Sequence, residues 1–258
     1  MKSEIYKNIN NIKLRLRIFE PKDRASKDLK GTLIFLQGSG GSQFFPQCKY
    51  FAKRGMVTLT AQFRVRIRHK KSNPYFESIA DGKSAIRYIR SYASKFNINP
   101  NKIVVAGASS GSIVALGSAL IKGLESEVED LNIRSEPNAL ILLSTPIPYW
   151  KFIVDYTHKR RPNDISPIQH IKNKLPPTIL IHTLEDPVPF EEIKKFTMKM
   201  KDVANDCELF TFEGKEHGFI KRGKSEGGRY DNKPYKETLL IMNKFLSKLD
   251  YLNNTEVN

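Results

Sequence analysis

A chain of 258 residues, 40% hydrophobic and 10% aromatic, can build one large α/β domain with a substantial core. It holds no run of about 18 apolar residues, and its two cysteines, Cys48 and Cys207, stand far apart without ligand-like spacing, which argues against a membrane span, a disulfide framework and a zinc site. The formal charge of +16, from 43 basic against 27 acidic residues, is spread over almost every segment with no nucleic-acid-reading module, which argues against a nucleic-acid partner.

From the N-terminus, Ile5 to Phe19 alternates apolar and charged positions around Leu14, Leu16 and Ile18, as a half-buried antiparallel strand or hairpin does. Leu33–Leu36 is a short apolar run, Pro46 to Arg54 has helical character, and Met56 to Ala61 reads as a strand. Between Phe76 and Phe96 the residues Ile79, Gly82, Ile86, Ile89, Ala93 and Phe96 fall at steps of three and four, the pattern of one helix with a single apolar stripe. Strands follow at Ile103–Ala106, Ala139–Leu143, Thr178–Ile181 and Leu209–Phe212, and helices at Ser110–Ile121, Pro189–Met200 and Lys236–Leu249. Apolar strands joined through amphipathic helices predict a mostly parallel central sheet flanked by helices on both faces, in one domain over 1–258. With no apolar stretch behind Lys2, the chain reads as cytoplasmic.

Thr145 to Leu175 breaks the rhythm. It is rich in Pro, Lys and aromatics and has no clean period, so it predicts a small cap over the site, with Tyr149 and Trp150 as its substrate-touching residues. Two dense basic runs, Arg64 to Lys71 and His158 to Arg161, predict solvated loop faces; an acidic polysaccharide is the substrate they would otherwise suit.

The chemistry begins at Gly107-Ala108-Ser109-Ser110-Gly111, a G-x-S-x-G pattern between a predicted strand and a predicted helix. A nucleophilic serine must be held out at a sharp strand-to-helix turn, and so tight a turn tolerates only small neighbours. The partners then follow in the order acid, histidine, each in a loop beyond a later strand. Thr178–Ile181 runs into His182-Thr183-Leu184-Glu185-Asp186-Pro187, and Leu209–Phe212 runs into Glu213-Gly214-Lys215-Glu216-His217-Gly218. Ser109, Asp186 and His217 are therefore the expected nucleophile, acid and base, with Glu185 the rival acid. His182 is expected to pack and hydrogen-bond at its strand end. Gln37-Gly38-Ser39-Gly40-Gly41-Ser42 follows the first core strand, and the N–H groups of Ser39, Gly40 and Ser110 are the expected oxyanion donors. Gly218 to Ser225 formally matches G-x-x-x-x-G-K-[ST], but Glu226-Gly227-Gly228-Arg229 follows where a phosphate loop needs a helix, so no nucleotide site is expected.

These residues, with Arg54-Gly55-Met56-Val57, Phe63-Arg64-Val65, Phe76-Glu77-Ser78, Ala80-Asp81, Asp186 to Pro189 and Arg229-Tyr230 to Leu249, resemble the bacterial α/β-hydrolases of the acetyl-esterase, or acetyl-xylan and feruloyl-esterase-like, group. The resemblance covers most of the chain. It implies an α/β-hydrolase fold, a serine esterase needing no metal or cofactor, and a small ester substrate with a short acyl group, often on a sugar. Together with Pro187 it favours Asp186 over Glu185 as the acid. The chain differs from such relatives in carrying Gln37-Gly38-Ser39-Gly40 where they have H-G-G-G or F-G-G-G, and Ser110 where they have Gly or Ala. Two other readings stay open on the same residues: a hydrolase-fold receptor or scaffold without turnover, and a peptidase or thioesterase of the same fold.

Overall fold

The computed structural model describes residues 1–22, 29–37, 43–64, 74–126, 129–147, 166–215, 217–220, 225–226, 229–230, 232 and 233–252. The chain starts as a hairpin of β1 (Lys2–Ile9) and β2 (Ile12–Phe19), joined by Asn10 and Asn11, both at positive φ (49° and 62°). Two consecutive left-handed residues match the twist of the flanking strands, and Asn tolerates that conformation better than most side-chain-bearing residues. β3 (Lys30–Gln37), α1 (Phe45–Ala52), β4 (Val57–Gln62), α2 (Pro74–Ser91), α3 (Ala93–Phe96), β5 (Ile98–Ala108), α4 (Ser110–Leu120), β6 (Ala139–Leu143), β7 (Thr178–Thr183), α5 (Phe190–Asp202), β8 (Cys207–Phe212) and α6 (Lys233–Lys248) follow, with a two-residue ribbon of β9 (Ser225–Glu226) and β10 (Arg229–Tyr230) before α6.

The strands form one eight-stranded sheet in the order β1-β2-β4-β3-β5-β6-β7-β8. β2 is antiparallel to both β1 and β4, and β4, β3, β5, β6, β7 and β8 run parallel to one another. Alternation along each strand builds two cores, one per face. Ile34 and Leu36 of β3 face a layer that includes Ile79, Ile86 and Ile89 of α2, Ile113 and Leu116 of α4, and Ile193, Phe196 and Met200 of α5. Leu33 and Phe35 face the opposite layer, with Cys48 and Phe51 of α1 and Leu239, Met242, Phe245 and Leu246 of α6. Both cysteines are buried and free, and burial raises both thiols, Cys207 to about 12.

Two helices depart from the sequence expectation. The helix expected over Phe76–Phe96 breaks at Tyr92 (φ −101°, ψ 28°) into α2 and α3, and α3 ends on Asn97 in the left-handed region. The final helix starts at Lys233, earlier than expected, because Pro234 sits in its first turn, where a missing N–H costs nothing. Among the described residues no helix is long and apolar enough to cross a membrane.

Candidate active site

β5 ends at Ala108 and α4 begins at Ser110, so Ser109 alone makes the turn between them. Its φ of 51° and ψ of −122° lie outside the regions a side-chain-bearing residue prefers. The turn is anchored from both sides: Ser109 N–H donates to the Leu143 carbonyl of β6 at 3.0 Å, and Ser112 N–H donates to the Ser109 carbonyl at 3.0 Å. Such a tight path requires glycine on either side. A Cβ on Gly107 would lie 2.2 Å from the Gly111 carbonyl oxygen, and one on Gly111 would lie 2.4 Å from that of Leu36. The two glycines of the pattern are thus steric requirements of the turn.

Because β5 to β8 are parallel, the loops that follow them emerge at one edge of the sheet. Ser109 lies at that edge beyond β5, Asp186 beyond β7 and His217 beyond β8. The Asp186 side chain is fully enclosed, that of His217 is 38% exposed, and Nδ1 of His217 lies 2.8 Å from Oδ2 of Asp186. The other carboxylate oxygen, Oδ1, accepts the Val188 N–H at 3.0 Å, an Asx turn closed by the Asp186-Pro187-Val188 sequence. Burial pushes the Asp186 carboxyl up, but the hydrogen bonds from His217 and from Val188 N–H more than offset it, so the carboxyl titrates below its ordinary value and is ionised at neutral pH. A carboxylate only accepts, so Nδ1 carries the proton and Nε2 is the basic nitrogen of a neutral His217.

His182 is buried, with Nε2 3.3 Å from the Val188 carbonyl oxygen. A carbonyl also only accepts, so Nε2 carries the proton, and Nδ1 is buried without a hydrogen-bond partner among the described residues. Burial lowers the pKa of this imidazole and keeps it neutral. Glu185 turns away from His217: Oε2 lies 2.9 Å from the Thr183 hydroxyl and 3.3 Å from the Lys215 N–H, so Asp186 and not Glu185 pairs with the histidine.

Of the expected oxyanion donors, Ser110 opens α4, where the helix's own ladder offers its N–H no acceptor, and Ser39 and Gly40 lie outside the described residues. Tyr149 and Trp150 lie outside them too, as does most of the 145–175 segment; its described flanks bury Thr145 and Ile147 and form one 3-10 turn at Pro167–Gln169. Beyond the Ser39 and Gly40 segment, Phe44 stacks on Phe35 with ring centroids 4.8 Å apart. Buried Gln47 of α1 donates from Nε2 to the Ile220 carbonyl at 3.1 Å, tying this helix to the chain just after His217. The sequence reading missed Val188 and Gln47. The first was findable from the Asp-Pro turn signal, whereas the second depends on a contact 173 positions apart. Among the described residues no group of three or more His, Cys, Asp or Glu could hold a metal ion.

Residues 23–147 match a family described as BD-FAE, and residues 144–233 match the prolyl oligopeptidase family. Thermogutta terrifontis esterase 2 phosphorylated by paraoxon is 36% identical with a TM-score of 0.87, over 98% of this chain and 96% of that one. A butyrate-bound structure of the same esterase is 35% identical with a TM-score of 0.86, over 99% and 96%. Esterase LipC of Mycobacterium tuberculosis is 26% identical over 235 residues, 79% of this chain; the chain spans only 56% of the length of LipC. Identity of 36% with a TM-score of 0.87 over nearly all of both chains shows that the chain belongs to the α/β-hydrolase family of esterases.

Proposed function

We propose that this protein hydrolyses small carboxylic esters through Ser109, His217 and Asp186. The observation that carries the reading is the 2.8 Å Asp186–His217 contact at the same sheet edge as the strained Ser109 turn. Ser109 Oγ attacks the ester carbonyl while Nε2 of His217 takes its proton, forming a tetrahedral intermediate. The imidazolium is held at Nδ1 by the ionised Asp186, and the N–H groups of Ser110, Ser39 and Gly40 take the oxyanion. His217 returns the proton to the departing alcohol, leaving an acyl-serine; water, deprotonated by the same nitrogen, then releases the acid and restores Ser109. No step calls for a metal or cofactor.

The acyl group we infer is short, acetyl to butyryl. Structures of Thermogutta terrifontis esterase 2 with propionate and with butyrate bound support this by analogy. An acylated sugar, including one on an acidic polysaccharide fragment, is the proposed natural substrate, with residues 145–175 as the cap and Tyr149 and Trp150 on the substrate.

Ser109→Ala is expected to lower kcat on p-nitrophenyl butyrate by about 10⁴-fold or more with the fold intact, and to end labelling by a fluorophosphonate probe. Undiminished turnover would overturn the nucleophile assignment, and absence of labelling in the wild type would favour a silent scaffold. The prolyl oligopeptidase match over residues 144–233 supports a second reading, amide cleavage. A panel of acetylated sugars, longer acyl esters and peptide anilides, compared by kcat/KM, separates the two.

A further inference from the structure

The ladder between β7 and β8 ends at Thr183 opposite Phe212, short of both Asp186 and His217. Beyond that rung the two loops have no sheet to hold them in register among the described residues, where β8 is the last strand of the sheet. A donor–acceptor separation of 2.8 Å across two such loops requires further ties.

The structure supplies them as a series of cross-links. Leu184 N–H donates to the Phe212 carbonyl at 3.0 Å. The buried Thr183 hydroxyl lies 2.6 Å from the Lys215 carbonyl oxygen and 2.9 Å from Glu185 Oε2. The Glu185 carboxylate in turn accepts the Lys215 N–H at 3.3 Å, and the adjacent Gly214 amide is the largest influence holding its pKa down. Gly214 has φ 63°, a conformation open to glycine that turns successive amides toward one anion, a small concave nest. A carboxylate with two acceptor oxygens fits that nest better than any neutral side chain.

We infer that Glu185 and Thr183 are positioning residues that clamp Gly214 and Lys215 to the 183–188 turn and thereby set the Asp186–His217 contact on which turnover depends. The inference rests on the esterase reading of the site. Glu185 touches no reacting atom. It is solvent-exposed and bonds mainly to backbone amides, so removing it disturbs the geometry of the base more than the stability of the molecule.

The test compares Glu185→Ala, Glu185→Gln, Thr183→Val and the Ala/Val double variant with the wild type, and with Lys102→Ala as a control. Lys102 pairs with Asp250 at the amino-terminal end of β5, away from the catalytic edge. Glu185→Ala is expected to lower kcat on p-nitrophenyl butyrate about tenfold with KM within about twofold and to broaden or remove the downfield proton resonance of His217 Nδ1–H. Glu185→Gln, which keeps one acceptor oxygen, recovers part of both. The double variant is no worse than the poorer single one, because the two side chains act through one loop. Melting temperatures and Lys102→Ala kinetics stay close to the wild type. Wild-type kcat together with an unshifted His217 resonance in Glu185→Ala would overturn the clamp, and if that variant fails to fold, the same two readings on Thr183→Val decide. A wild type with neither turnover nor probe labelling would instead overturn the esterase reading, and the His217 resonance would still decide the clamp.

Discussion

Asp186 and Glu185 are adjacent carboxylic acids on one turn, yet they do different work because of what surrounds them. Asp186 is enclosed and meets His217 and one N–H; Glu185 is exposed and meets a hydroxyl and the amides of the neighbouring loop. Both titrate below the ordinary range for their type, Asp186 against the pull of burial and Glu185 chiefly through the Gly214 amide. A carboxyl lowered on folding stabilises the protein above its unfolded value and loses that contribution as pH falls through its folded one. The stability gap between the wild type and Asp186→Asn should therefore be full at pH values above 3.8, the ordinary aspartate value, and close progressively below it, as read by urea denaturation across pH. The same substitution should lower kcat by about 10⁴-fold, since an amide favours the wrong imidazole tautomer.

At the scale of elements, α2 and α4 approach closely over the sheet because glycine stands at their contact. A Cβ on Gly82 would lie 2.6 Å from Val114 Cγ1 and 2.8 Å from Ser118 Oγ. Gly82→Ala gains about 0.5–1 kcal/mol in helix propensity but must force two buried neighbours apart, which costs about 1–3 kcal/mol. The second effect should win, giving a net loss of about 1 kcal/mol in chemical denaturation, with α4 and the Ser109 turn it begins displaced enough to lower kcat. Much of this layer was legible beforehand. The three-and-four spacing from Ile79 to Phe96 marked the stripe facing the sheet, and the strand–serine–helix context marked the turn. The break at Tyr92 was not, since the apolar stripe runs through it unchanged. The amino-terminal part of β5, Ile98–Lys102, was hidden too: its Asn, Pro and Lys residues carry no strand period, and Ile98 is held by pairing with Lys30 of β3. Pairings between distant segments, including the Glu185 and Gln47 ties, leave no mark in local pattern.

At the scale of the molecule, the hairpin, the end of β4 and α2 are joined by one buried carboxylate. Asp81 is wholly enclosed, with Lys7 Nζ 2.8 Å from Oδ1, Arg64 Nε 2.7 Å from Oδ2 and Arg64 Nη2 2.9 Å from Oδ1. Arg64 N–H adds a fourth bond at 3.0 Å. Asp81→Ala would leave two nearly buried cations facing each other without their shared anion, so unfolding experiments should show a loss of about 3–5 kcal/mol. An exposed pair such as Lys95–Glu4, 2.8 Å long, is worth less than about 1 kcal/mol by comparison.

The position of β8 at the rim has one more consequence. In the proposed mechanism the serine follows β5, flanked by β3 and β6, and the acid follows β7, flanked by β6 and β8, whereas β8, which leads to the histidine, is paired on one side only among the described residues. Warming should peel that outermost strand away first, so catalysis fades while the interior is still packed, and cooling restores it for as long as the inner strands have not let go.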